Sequence, residues 1–274
     1  MKPIQAMRRR CLLLVGLVIS LIAPGLLAVP RADAFGSSQA AALVLGQAAF
    51  GSAVTASRLA APAGIAVDPA SGAVFVADTS NHRVLRFSSL GSLASGAAAE
   101  GVLGQPNFTS NAFATSAQGM YEPWDVAVDS GGRLWVADRL NSRVLRFDAA
   151  ATKPNGAPAD AVLGQAAFTT RTGATTQAGM YYPAGVAVDA NGRLWVADTA
   201  NSRVMRFDAA AAKPNGAAAS AVLGQAAFTT RTAAVTQAGM NYPWGLAVDA
   251  SGRLWVADTA NNRVLRFDAA ATKA

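Results

Sequence analysis

Two tryptophans and two acids stand out in this 274-residue sequence because they break a pattern that the rest of it keeps. Trp124 and Trp244 each follow a proline, at a place where matching stretches carry Ala63 and Ala184. Glu122 and Asp125 flank Pro123-Trp124 and have no acidic counterpart in those stretches. Aromatic faces beside carboxylates suit stacking on a sugar ring or holding a cationic group. The competing reading, preferred on residue type alone, is that the two indoles plug a channel. Tyr181, Tyr182 and Tyr242, with Arg171 and Arg231, lie in polar, Thr-rich stretches that lead into the prolines. These nine residues form the candidate ligand-binding set.

Other chemistries find less support. Asp68, Asp129, Asp189 and Asp249, and then Asp78, Asp138, Asp198 and Asp258, could attract a hard cation. Each closes an apolar run just before a turn, where backbone donors lie within reach, so all eight are read as turn caps. Arg83, Arg143, Arg203 and Arg263 are expected to brace the loops that present them by pairing with those aspartates. The single histidine, His82, occupies a position held elsewhere by Ser142, Ser202 and Asn262, and is read as a surface-loop variant. One imidazole cannot build a multi-histidine zinc site. No Gly-X-Ser-X-Gly elbow or phosphate-binding Gly-Lys loop is present. No catalytic residue, metal ligand or cofactor is assigned, and binding is expected over catalysis.

The elements that must position these residues are repeated. Val44-Leu45-Gly46-Gln47 recurs at 102–105, 162–165 and 222–225, and Pro62 recurs as Pro123, Pro183 and Pro243 at intervals of 61, 60 and 60. Segments 162–208 and 222–268 differ at only 8 of 47 positions. Each unit reads as four short strands. In the third unit these are 185–189, 193–198, 203–207 and 221–224. An Asp-X-Asn-Gly hairpin signal joins the first two. Asp198 and Thr199 are expected to bond forward to backbone donors in the next turn, and Asn201 to take its left-handed position. The second strand is apolar on both faces, so it must be covered on both, and Trp135, Trp195 and Trp255 there are expected in the core. Small antiparallel sheets stacked against similar sheets make a β-propeller.

Pro-x-Gly-Val-Ala-Val-Asp followed by Gly-x-Leu-Trp-Val-Ala-Asp-Thr-x-Asn-x-Arg-Val-x-x-Phe resembles the NHL repeat. The resemblance implies an all-β propeller of four-stranded antiparallel blades, with units at about 43–87, 101–147, 161–207 and 221–267. The period of 60 is longer than usual for that family, through the added segment before each proline. Leu43–Gln47 is a fourth-type strand and Arg263–Phe267 a third-type strand. The N-terminal strand is therefore expected to complete the last blade and close a ring of four, with an open arc or a shared ring of two chains as alternatives. In such a ring Trp124 and Trp244 would confront one another. Propeller enzymes similar to this fold hold a metal or catalytic histidine in the channel, which makes a metal-assisted lyase or hydrolase using Glu122 and Asp125 the runner-up.

Charge settles the remaining expectations. The chain carries 23 Lys and Arg against 16 Asp and Glu, which suggests anionic partners. Arg8-Arg9-Arg10, an apolar run from Cys11 to Ala23, and Ala32-Asp33-Ala34 form the pattern of a secretory leader spanning 1–34. The run is too short to span a membrane, so no stable anchor is expected. Without the leader, 18 basic and 15 acidic residues remain, a net +3, and the lone Cys is lost. Arg171 and Arg231 are too few for a phosphate-tracking stripe, so nucleic acid is not an expected partner. The expectation is an extracellular or cell-envelope binding scaffold, 35–274, most simply a monomer with a dimer open. It would meet a protein or an envelope polysaccharide through propeller-face loops. A structural surface-layer component is the third reading.

Overall fold

A computed structural model describes residues 41–47, 58–268 and 270. The expected leader lies outside the described residues. Among the described residues from Leu43 onward the chain is all-β, in four small antiparallel sheets. The first holds β1 (Pro62–Val67), β2 (Ala73–Asp78), β3 (Arg83–Ser89) and β4 (Gly101–Leu103). The second holds β5 (Pro123–Val128), β6 (Leu134–Asp138), β7 (Arg143–Phe147) and β8 (Ala161–Leu163). The third holds β9 (Pro183–Val188), β10 (Leu194–Asp198), β11 (Arg203–Phe207) and β12 (Ala221–Leu223). The fourth holds β13 (Pro243–Val248), β14 (Leu254–Asp258) and β15 (Arg263–Phe267).

Local chemistry makes each sheet in the same way. In the third, the Asp189 carboxylate accepts from the Asn191 and Arg193 amides, and Gly192 takes φ +72° to return the chain. That left-handed position costs glycine nothing. The β9–β10 register sets Trp195 opposite Ala187, and β10–β11 sets it opposite Arg206. The next connection is a 3-10 turn over Thr199–Asn201, and its left-handed residue is Ser202, not Asn201. The same place is taken by His82, Ser142 and Asn262.

Inner strands pack in chain order, β1 on β5, β5 on β9 and β9 on β13. Glycine permits that approach: a Cβ on Gly185 would lie 2.2 Å from the Trp244 carbonyl oxygen. The core is the packing between sheets. Phe75, Ala77, Val84 and Leu103 meet Val126, Leu134, Leu145 and Phe147. Trp135 and Val144 meet Val196, Met205 and Phe207 one sheet later, and Trp195 and Val204 meet Leu254 and Val256 after that. Burying one Phe or Leu of these sets contributes about 1.5–3 kcal/mol.

Two expectations are corrected. The N-terminal strand does not complete the last sheet, which has three described strands. Its segment is held on sheet one instead, where the Val44 amide reaches Ser95 Oγ and the Val44 carbonyl accepts from the Gly96 amide. Trp255 is not in the core. It is 37% exposed, against 1% for Trp135 and 2% for Trp195, because no described sheet covers it.

Candidate functional site

The prolines that start the inner strands are anchored from below by a buried network. Asp138 Oδ1 accepts from the Tyr121 amide at 2.7 Å, and Oδ2 accepts from Asn141 at 2.9 Å and Arg143 Nε at 2.7 Å. Arg143 then donates to the carbonyls of Ser116 and Gly119 in the pre-proline loop, and to that of Phe168. Asp78 with Arg83, Asp198 with Arg203 and Asp258 with Arg263 repeat the pair. These aspartates tie loops together across the blade instead of capping the turn that follows them; no side-chain cap forms at Asp198. Burial pushes the Asp138 and Asp198 carboxyls up, while the adjacent guanidinium and the hydrogen bonds pull them down.

Held in this way, the residues before Pro123, Pro183 and Pro243 adopt a left-handed conformation: Glu122 at φ 49°, Tyr182 at 51° and Tyr242 at 49°. Non-glycine residues rarely sit there, and the buried network below maintains them. All three belong to the candidate set. Beyond them the indoles of Trp124 and Trp244 meet with centroids 5.4 Å apart and planes tilted by 55°. Arg139 lies over both, 5.1 Å from the Trp124 ring centre and 5.7 Å from that of Trp244, and 5.7 Å from that of Tyr182. Its guanidinium is also 3.5 Å from Glu122. The aromatic faces thus already hold a cation from the chain itself.

Asp125, expected beside Glu122 at the same mouth, is turned to another task. Its oxygens accept from the Val126 amide at 2.9 Å and the Val186 amide at 3.0 Å, so it stitches β5 to β9. Burial raises its pKa, and those two amides lower it. With one carboxylate ion-paired and the other spent on backbone donors, the two acids do not make a matched acid and base. Among the described residues no three His, Cys, Asp or Glu side chains group to hold a metal ion.

An open cleft of about 360 Å³ lies between sheets three and four. Tyr181, Tyr182, Tyr242, Arg231, Ala200, Ser202 and Ala233 line it. Tyr181 and Tyr182 touch, with centroids 4.4 Å apart. The neighbouring Tyr181 hydroxyl pushes the Tyr182 phenol up from its ordinary value. The structure therefore gathers four of the nine candidates in the cleft, and Arg139 joins it to the Trp124, Trp244 and Glu122 group through Tyr182. Arg171 is exposed and is not among the lining residues.

The NHL repeat family matches at residues 59–87, 120–147, 180–207 and 240–267. Each match spans the three inner strands of one sheet with its Asp–Arg network. The chain carries four NHL repeats.

No curated protein matches the chain. Among solved structures, a streptogramin B lyase is 13% identical at a TM-score of 0.43, over 76% of this chain and 51% of its own. A catalytically inactive virginiamycin B lyase from Staphylococcus aureus, solved with quinupristin, is 16% identical at 0.47, over 77% and 53%. A protein of unknown function from Bacteroides thetaiotaomicron is 16% identical at 0.48, over 75% and 46%. This chain spans about half the length of each.

Within the NHL repeats, two residues around the candidate site escape a reading by residue type. Arg139 stands where the other repeats have Thr79, Thr199 and Thr259, and that departure was the available signal. His82 is more than a loop variant. Its Nδ1 accepts from the Glu122 amide at 3.2 Å, and its ring meets Tyr121 edge-on with centroids 5.4 Å apart. Tyr121 in turn stacks on Phe113 at 4.3 Å. The first NHL repeat thereby helps fix the backbone that presents Glu122.

Proposed function

We propose that this chain is an exported binding module that holds a polysaccharide of the cell envelope in the tyrosine cleft between its third and fourth repeats. The observation that supports the reading is the convergence of Tyr181, Tyr182, Tyr242 and Arg231 around one open space. The size is at the low end for small-ligand sites. Tyrosine offers a flat apolar face with a hydroxyl at its edge, and loses little side-chain entropy on contact. Arg231 adds a charged donor for a hydroxyl, a carboxylate or a phosphate on the chain. A protein partner is the other class that such a surface could serve, but a shallow cleft with no deep apolar socket suits it less well.

The indole pair is assigned a supporting role. Arg139 occupies the aromatic faces that a ligand cation would need, and so fixes one wall of the cleft through Tyr182. Probing a glycan array with wild type, Tyr182→Ala and Arg231→Ala tests the reading. Wild type should be retained by a subset of glycans and both variants released. Capture of soluble proteins with no glycan retained would move the assignment to a protein partner.

A further inference from the structure

Each of the first three sheets presents one apolar face to the sheet that follows. Phe75 and Val84, Trp135 and Val144, and Trp195 and Val204 are all buried by that contact. Their counterparts on sheet four, Trp255 and Val264, are exposed, at 37% and 66%. At the other end of the stack Ile65 and Val67 of β1 are exposed, although Val126 and Val186, in the place of Ile65, lie within the inter-sheet clusters. The outer edge of β15 is also free: among the described residues no strand pairs with it, while β3, β7 and β11 each carry a short fourth strand. An edge of this kind is a template for another chain.

Residues 43–47 have the sequence of a fourth strand and are seated as one. The Val44 carbonyl accepts from the Gly96 amide at 2.9 Å, just as Val102 accepts from Gly156 and Val162 from Gly216 at 3.0 Å. Gly46 takes φ +81°, matching +85° at Gly104 and +86° at Gly164. Leu45 and Leu59 pack on sheet one where Leu103 and Met120 pack on sheet two. The segment therefore lies on sheet one as the outer strand of a sheet that would precede it.

We propose that a second copy of this chain supplies that sheet, by docking head to tail. Residues 43–47 of one copy add antiparallel to β15 of the other, and sheet one of the first covers Trp255 and Val264 of the second. The register follows from the interior sheets, where Val204 pairs with Leu223 and Met205 with Val222. It sets Leu45 against Val264 and Val44 against Leu265. The surfaces are unlike, so two copies close by making the contact twice about a two-fold axis. Arg266 then gains partners of the kind Arg86 already has, which donates to the carbonyls of Ala150 and Lys153 on the next sheet. The equivalent carbonyls are those of Leu90 and Leu93 in the other copy.

Light scattering on the full chain should return twice the single-chain mass, and Val264→Glu should halve it. Val264 is exposed within one chain, so that variant should stay folded, with the wild-type far-UV circular dichroism spectrum and a cooperative melt. A second test pairs Leu45→Cys with Val264→Cys in a Cys11→Ser background. After oxidation, a denaturing gel should show a covalent band of two chains. A wild-type mass of one chain, a crosslink formed within one chain, or an open ladder of larger species would each overturn the two-copy arrangement.

Discussion

The indoles of Trp124 and Trp244, contributed by sheets two and four, meet with ring centres 5.4 Å apart although a whole sheet separates them in the chain. Ala184 makes room for this contact at the same position of sheet three. Alternation of large and small residues after the proline therefore packs the inner rim, and Arg139 lies over the result.

The pair should be energetically coupled. Trp124→Ala and Trp244→Ala are each expected to destabilise, and the double variant to lose less than the sum. A double-mutant cycle by denaturant unfolding should give a coupling of about 0.5–1.5 kcal/mol. Full additivity would mean that the rings touch without supporting one another.

Arg139→Thr restores the residue of the other three repeats. It removes a cation held over three rings and paired with Glu122. A loss of about 0.5–2 kcal/mol is expected, with a change in tryptophan emission as the indole faces are uncovered. Unchanged emission would contradict the placement of Arg139.

The Asp–Arg pairs should differ by burial. The Asp198–Arg203 pair is closed to solvent on both sides, whereas Arg263 is 26% exposed. Arg203→Ala leaves a buried carboxylate without its partner and should cost about 3–5 kcal/mol. Arg263→Ala should cost clearly less, and chemical denaturation of the two variants compares them directly.

Asp249 should mark the acid limb of stability. The Trp255 indole N–H, then Arg253 and two backbone amides, hold its carboxyl well below the usual range. A folded pKa below the unfolded value, about 3.9 for Asp, stabilises above that pH, and the contribution is lost as pH falls through the depressed value. Trp255→Phe should move the Asp249 titration, followed by carboxyl NMR, back toward the ordinary range.

Much of the fold was legible because every unit repeats the same requirements. Three short strands ending in Val, Asp and Phe, with Asp and Gly in the first hairpin, state their own turns and faces. The Asp78–Arg83 type of pair was legible too, since two opposite charges five residues apart flank one tight connection. What lay beyond local pattern was set by neighbours. Trp255 has the same motif as Trp195, and only the lack of a covering sheet exposes it. Asp125 looks like a channel acid until the Val186 amide, from the next repeat, comes within 3.0 Å. Tyr181, Tyr182, Tyr242 and Arg231 come from two repeats, so their convergence depends on the angle between sheets.

The most direct test of the binding assignment is calorimetric titration of wild type and Tyr182→Ala with an oligosaccharide retained on the glycan array. Wild type should bind saturably, and Tyr182→Ala at least about tenfold more weakly, the equivalent of ~1.4 kcal/mol, with an unchanged melting midpoint. Equal affinity in the two proteins would contradict recognition at the tyrosine cleft.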